Sequence, residues 1–250
     1  MKNNTRVLLF LLALLLVSTA CFPLKKKGAP PTNDPNETRI TISENLTEFT
    51  RIYIESAGKI KLVQGDSHSI EIEGPKSMID RIKYSVSNGT LKVTLDRSFW
   101  QWFTEYTLPV MTITFANLEE LDFKGGSKLT LNDLTTENLV IDIEGGAQVV
   151  MENLSARFLD FSMQGGGDVE ITGVADIQKI RAEGGVNYQA GDLKSLNVDL
   201  NAQGAVNAEI WATTELTLKL SGAYNVSYYG EPSIKQDVEG VGTIEGLGTK

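Results

Sequence analysis

Cysteine and histidine each occur once in the 250 residues, as Cys21 and His68. No disulfide can therefore close within the chain, and no His-rich or Cys-rich metal site can be assembled. Positive charge is also scarce, with 23 basic against 32 acidic side chains and a net charge of -9. That balance offers no surface for phosphate backbones, so nucleic acid is not an expected partner. Proline is sparse outside residues 23–35, which hold four of the seven. The long apolar run, residues 7–17, is eleven residues, whereas a membrane-spanning helix needs about 20. What the chain has in quantity is glycine: 23 residues, 18 of them after position 116.

Lys2 and Arg6 flank the start of the apolar run, and the small residues Ser18, Thr19 and Ala20 close it. This order of basic, apolar and small segments predicts a secretory signal peptide over residues 1–20. Cys21 follows at once, and Ser18-Thr19-Ala20-Cys21 resembles a bacterial lipobox, with Ser18 where lipoboxes usually carry Leu. The resemblance implies a diacylglycerol on the Cys21 thiol, an acylated new amino terminus and hence a membrane partner through an N-terminal lipid anchor. Two or three acyl chains exceed the single chain that binds only marginally. Phe22 rather than Asp follows the Cys, which by analogy with Gram-negative sorting implies the outer membrane where the organism has one.

Residues 21–37 combine four prolines with Lys25-Lys26-Lys27. Such a composition cannot bury enough apolar surface to fold, so a disordered tether is expected. Its sixteen residues after Cys21 reach about 50 Å when extended. Beyond it, residues 38–250 contain 18 basic and 30 acidic side chains, a net of -12. A basic stalk thus precedes a strongly acidic body.

From residue 117 the glycines recur at a fixed interval. Gly125-Gly126, Gly145-Gly146, Gly165-Gly166, Gly184-Gly185, Gly204 and Gly222 lie 18 to 20 residues apart. Four residues before each stand Leu121, Ile141, Phe161, Ile180, Leu200 and Leu218; four after stand Leu129, Val149, Val169, Tyr188, Ala208 and Val226. Polar residues alternate between these rows, which is the period of a strand. Each unit reads as a short strand, a glycine corner and a second short strand. One unit of about 20 residues cannot bury its own apolar stripe, but stacked copies can. The expected fold is all-β: a β-helix-like solenoid over residues 117–250, with a β-rich N-terminal cap over 38–116. A meander with a hairpin at each glycine pair would show the same alternation.

Within the cap, alternating runs such as Arg51-Ile52-Tyr53-Ile54 predict further strands, and Ser87-Asn88-Gly89-Thr90 predicts a hairpin turn. One short helix is expected within residues 75–83. The far end, around Gly240, reads as an incomplete last turn.

Several of these segments together carry a family likeness: Phe49-Thr50-Arg51-Ile52, Gln64-Gly65, Asn88-Gly89-Thr90-Leu91-Lys92-Val93, the Gly125-Gly126-Ser127 corner with its echoes, and Tyr229-Gly230-Glu231-Pro232. Over residues 45–246 the chain resembles the auto-transporter adhesin family with the head GIN domain. The resemblance implies a bacterial envelope protein engaged in adhesion, with no cofactor.

Catalysis has little local support. The residues just before the corners are Lys124, Glu144, Gln164, Glu183, Gln203 and Ser221, a broken row of acids that reads as a solvated face. His68 has no nucleophile motif nearby and reads as a surface residue. The aromatic run containing Trp100, Trp102, Phe103 and Tyr106 is the candidate contact for a ligand or a membrane. The expected function is a noncatalytic adhesion or interaction module with an envelope glycan or protein as partner. The alternative is a carbohydrate-active protein that binds or cleaves polysaccharide.

Overall fold

The computed structural model describes residues 37–95 and 108–250. Among the described residues, the alternating segments form nine strands of one open sheet, accompanied by a single four-residue helix. In chain order these are β1 (Arg39–Asn45), β2 (Arg51–Gln64), β3 (Ser69–Pro75), α1 (Lys76–Ile79), β4 (Ile82–Ser87), β5 (Thr90–Leu95), β6 (Val110–Phe115), β7 (Glu120–Asn132), β8 (Thr135–Tyr229) and β9 (Ser233–Gly248).

Two pairing regimes divide the sheet. At the N-terminal end, β3 is antiparallel to both β1 and β6, and β4 forms an antiparallel hairpin with β5. The hairpin turn follows from Asn88 and Gly89, whose φ values of 52° and 71° are both positive, as the tightest hairpin turns require. β5 and β6 then lie parallel to the first and second arms of β2. From β2 onward everything is parallel: β2 to β7, β7 to β8, and β8 to β9.

The register explains the periodicity. Gly125 stands opposite Gly145, a shift of 20 residues, and Gly222 opposite Gly240, a shift of 18. Hairpins at the glycines would have made neighbouring arms antiparallel, and these seams are parallel. β8 continues for 95 residues, and within it the corner glycines approach one another in the same order. The register also reaches back past residue 117: in β2, Ser56 stands opposite Gly125.

The apolar rows read from the sequence form one contiguous core. Leu121, Ile141, Phe161, Ile180, Leu200 and Leu218 are all buried. Where one row is small, a neighbour is large: Tyr188 is fully buried beside Phe161, with ring centroids 5.5 Å apart, in a stretch rich in Ala182, Ala190, Ala202 and Ala208. Its hydroxyl donates to Gln178 Oε1 (3.2 Å), and Gln178 Nε2 donates to Ser195 Oγ (2.6 Å), so these buried polar groups satisfy each other. Burial pushes the Tyr188 hydroxyl well above its usual pKa.

Two expectations are corrected. The helix is confined to four residues, because Ile82 already belongs to β4; Met78 and Ile79 are nonetheless buried on it. The far end is no worn-down turn, since β9 pairs along its length with β8 and Gly240 stands in register with Gly222.

Candidate functional site: a groove beside the glycine corners

The corners are built by the first glycine of each pair. Gly165, for example, has φ 133°, and a Cβ there would run into the carbonyl of Gly145 in the preceding coil. No L-residue fits that backbone without strain. Gly145, Gly184, Gly204 and Gly222 repeat the arrangement. The second glycines differ. A Cβ at Gly126, Gly146 or Gly166 would meet only ordinary contacts, and at Gly185 nothing within 4 Å. The same row continues as Ala205, Ala223 and Val241. These second positions do not require glycine, and the later ones, Gly185, Ala205, Ala223 and Val241, floor a lateral groove of about 590 Å³.

One wall of the groove is a ladder of amides three residues past the corners. Asn187 Nδ2 donates to Asp168 Oδ1 (3.1 Å), Asn207 Nδ2 to Asn187 Oδ1 (2.7 Å) and Asn225 Nδ2 to Asn207 Oδ1 (3.0 Å). The Thr243 hydroxyl closes the series on Asn225 Oδ1. A carboxamide has two N–H groups and an oxygen with two lone pairs. Each asparagine uses one N–H along the stack, and Asn187 Oδ1 also accepts from Gln189 Nε2 (2.7 Å), so the rotamers are fixed while the second N–H groups and the remaining lone pairs of Asn207 and Asn225 face a ligand. Tyr224, half-buried, adds an aromatic surface to the lining. The earlier coils carry Lys128 and Gln148 in this row, so the ladder is confined to the later ones. In the sequence the amide row recurs three residues past successive glycines, at intervals of 18 to 20 residues, a signal that local chemistry does not distinguish from ordinary polar alternation.

The opposite side of the corners is acidic in its early coils. Asp122 and Asp142 are register partners, and Asp142, Glu144, Ser162 and Gln164 surround a hollow of about 150 Å³ with Asp122. Partial burial raises the Asp122 carboxyl above its usual pKa; Glu144, Asp142 and Glu120 push the same way, and Lys124 opposes them. Lys124 itself bridges to Glu144 (2.7 Å). Among the described residues no group of three or more His, Cys, Asp or Glu side chains is placed to hold a metal ion.

His68 is more structural than surface: its ring packs edge-on against Phe49 (5.0 Å), and Nε2 accepts from the Ala116 N–H at 3.5 Å. Cys21, Trp100, Trp102, Phe103 and Tyr106 lie outside the described residues.

Comparison with known proteins places this geometry in a context. Residues 48–232 match the family described as "Putative auto-transporter adhesin, head GIN domain". A crystal structure of a putative adhesin from Bacteroides fragilis NCTC 9343 superimposes with a TM-score of 0.75 at 28% identity, covering 85% of this chain and 99% of that one. A putative lipid binding protein from Parabacteroides distasonis ATCC 8503 shares the fold at 16% identity, with a TM-score of 0.65 and coverage of 85% and 98%. A putative adhesin from Parabacteroides merdae ATCC 43184, also at 16%, gives a TM-score of 0.61 with coverage of 85% and 97%. No curated protein matches the chain.

Proposed function

The chain belongs to the auto-transporter adhesin, head GIN domain family, and from that premise we propose that it is a lipid-anchored, noncatalytic binding module of the bacterial envelope. In this reading Cys21 carries the acyl chains, residues 21–37 are the tether, and the parallel strands wind as a β-solenoid whose lateral groove meets the ligand. The parallel register of 18 to 20 residues from β7 to β9 supports the winding. The Bacteroides relative, named as an adhesin, supports the envelope role.

The observation that carries the binding role is the amide ladder on a floor of glycine and alanine. Amides that hydrogen-bond to one another are preorganised, so a ligand does not have to freeze them. They donate and accept equally, whereas residues 38–250 carry a net charge of -12. A neutral, hydroxyl-rich glycan strand fits both facts, and Tyr224 offers a sugar ring an apolar face. Trp100, Trp102, Phe103 and Tyr106 would form a second contact surface.

Two experiments test this. In a glycan array, the wild-type chain should bind neutral glycans, and the double variant Asn207→Ala/Asn225→Ala should lose about tenfold or more in affinity, two lost hydrogen-bonding groups at about 1 kcal/mol each. Unchanged binding would remove the groove from the account. In cells, Cys21→Ser should move the protein from the membrane to the soluble fraction; unchanged fractionation would sink the anchor.

A second reading, polysaccharide cleavage, has one observation in its favour, the raised carboxyl of Asp122 beside Asp142 and Glu144. It requires release of reducing ends that Asp122→Asn abolishes without affecting glycan binding.

A further inference from the structure

β9 pairs with β8 along one edge only, and among the described residues nothing pairs with the other. Its inward side chains lie over the buried row of the preceding coil: Ile234 opposite Leu216, Val238 opposite Leu220, Ile244 opposite Val226. Yet Ile234 is 40% exposed, Val238 38% and, on the outward side, Val241 81%. A strand of sixteen residues with a free hydrogen-bonding edge and an uncovered core row is a template for another strand.

We infer that this edge pairs with β9 of a second copy of the chain, antiparallel and about a two-fold axis through Gly240. β9 turns its corner at Gly240, where φ is 122°. A two-fold axis that bisects the corner places each arm of one copy over the other arm of its mate. Corner then lies on corner, and inward side chains meet inward side chains. In that register Ile234 faces Gly246, Val238 faces Gly242 and Gln236 faces Ile244, so a larger residue meets glycine in two of the three inward pairs. On the outward side Lys235 faces Glu245 twice, Asp237 faces Thr243 and Glu239 faces Val241. Five charged or hydroxyl-bearing positions are thus matched without any carboxylate opposite another, although Asp237, Glu239 and Glu245 are all acidic. Strand edges that are blunted against pairing place like charges together; this one does the reverse when paired with itself.

The other end of the sheet does not offer the same fit. Its outlying strands, β1 and β4, have seven and six residues and join the sheet by antiparallel pairing. A head-to-tail filament would set sixteen residues against these short pieces. The two-fold arrangement uses the same surface on both copies and closes at two.

The test is sedimentation velocity on the full chain in mild detergent over a wide range of concentration. The wild type should form a concentration-dependent dimer. Glu245→Lys, which sets Lys235 of one copy against a lysine of the other at two places, should raise the dimer Kd by about tenfold or more. The double variant Lys235→Glu/Glu245→Lys should recover affinity to within about threefold of the wild type. Because Lys235 also bridges to Glu215 in its own chain at 2.9 Å, melting curves of both variants are recorded to separate association from folding. A chain that is monomeric throughout would overturn the proposal and leave the edge to a different strand. A dimer indifferent to Glu245→Lys, or not rescued by the swap, would overturn it as well.

Discussion

The two ends of the parallel stack face opposite circumstances. At the β2 end, Ile52, Ile54, Ile60 and Leu62 are buried, because β5 and β6 lie across both arms and β3 and β1 extend the cover. At the β9 end, Val238 and Ile244 occupy the positions that correspond to Ile54 and Ile60, and neither is fully buried. Part of the difference is composition, since Gln236 and Gly246 stand in β9 where Ile52 and Leu62 stand in β2. The rest is cover: among the described residues no strand lies on the far edge of β9.

Substitutions at matched positions can break this comparison. The largest effect is expected at a corner inside the stack. Gly165→Ala should cost at least about 4 kcal/mol, since strain at positive φ adds to a backbone collision that coils on both sides prevent from relaxing. Gly240→Ala meets the same collision with Gly222, but the terminal coil can lift, so about 1–2 kcal/mol is expected. Equal losses in urea unfolding would show that the two ends are held alike.

The next contrast is in the core row. Ile54→Ala, fully buried, should cost about 2–5 kcal/mol, and Val238→Ala under about 1 kcal/mol in the monomer. If Val238→Ala costs as much as Ile54→Ala at concentrations where the chain is monomeric, the β9 end is covered by something within the chain.

The smallest effect concerns the acidic side of the early coils. A carboxyl whose pKa is raised in the folded state binds its proton more tightly there than in the unfolded chain, so its contribution to stability declines as pH rises through the interval above the ordinary Asp value of 3.8. Asp122→Asn should therefore give a slightly higher melting temperature near pH 7 and a flatter profile just above pH 4. A wild-type profile in that interval identical to that of the variant would show that Asp122 carries no such penalty.

Much of this architecture was legible from spacing. The alternation and the two apolar rows identified strands and most of the core, including Leu121, Phe161 and Leu218. Family resemblance over residues 45–246 agrees with the match over 48–232. Three things were not legible. Ser56 fills a corner position in β2 without being glycine, so the first coil escaped the count. The requirement for glycine is unequal within each pair, because only stacking reveals that Gly165 lies against a carbonyl and Gly185 against open space. The amide ladder was hidden because Asn187, Asn207 and Asn225 are unremarkable polar residues until neighbouring coils bring them within 3.1 Å of a partner.

The sequence alone determined the local conformation: alternation specifies strands, and periodic glycine specifies where they bend, because both are properties of a residue and its immediate neighbours. Tertiary structure alone decided the direction of pairing, since parallel and antiparallel arms bury the same alternating rows and differ only in which distant residue lies alongside. From that direction come the groove and the ladder, each made of residues about 20 positions apart that nothing in the chain's local chemistry joins, and the orientation in which β9 leaves one edge bare.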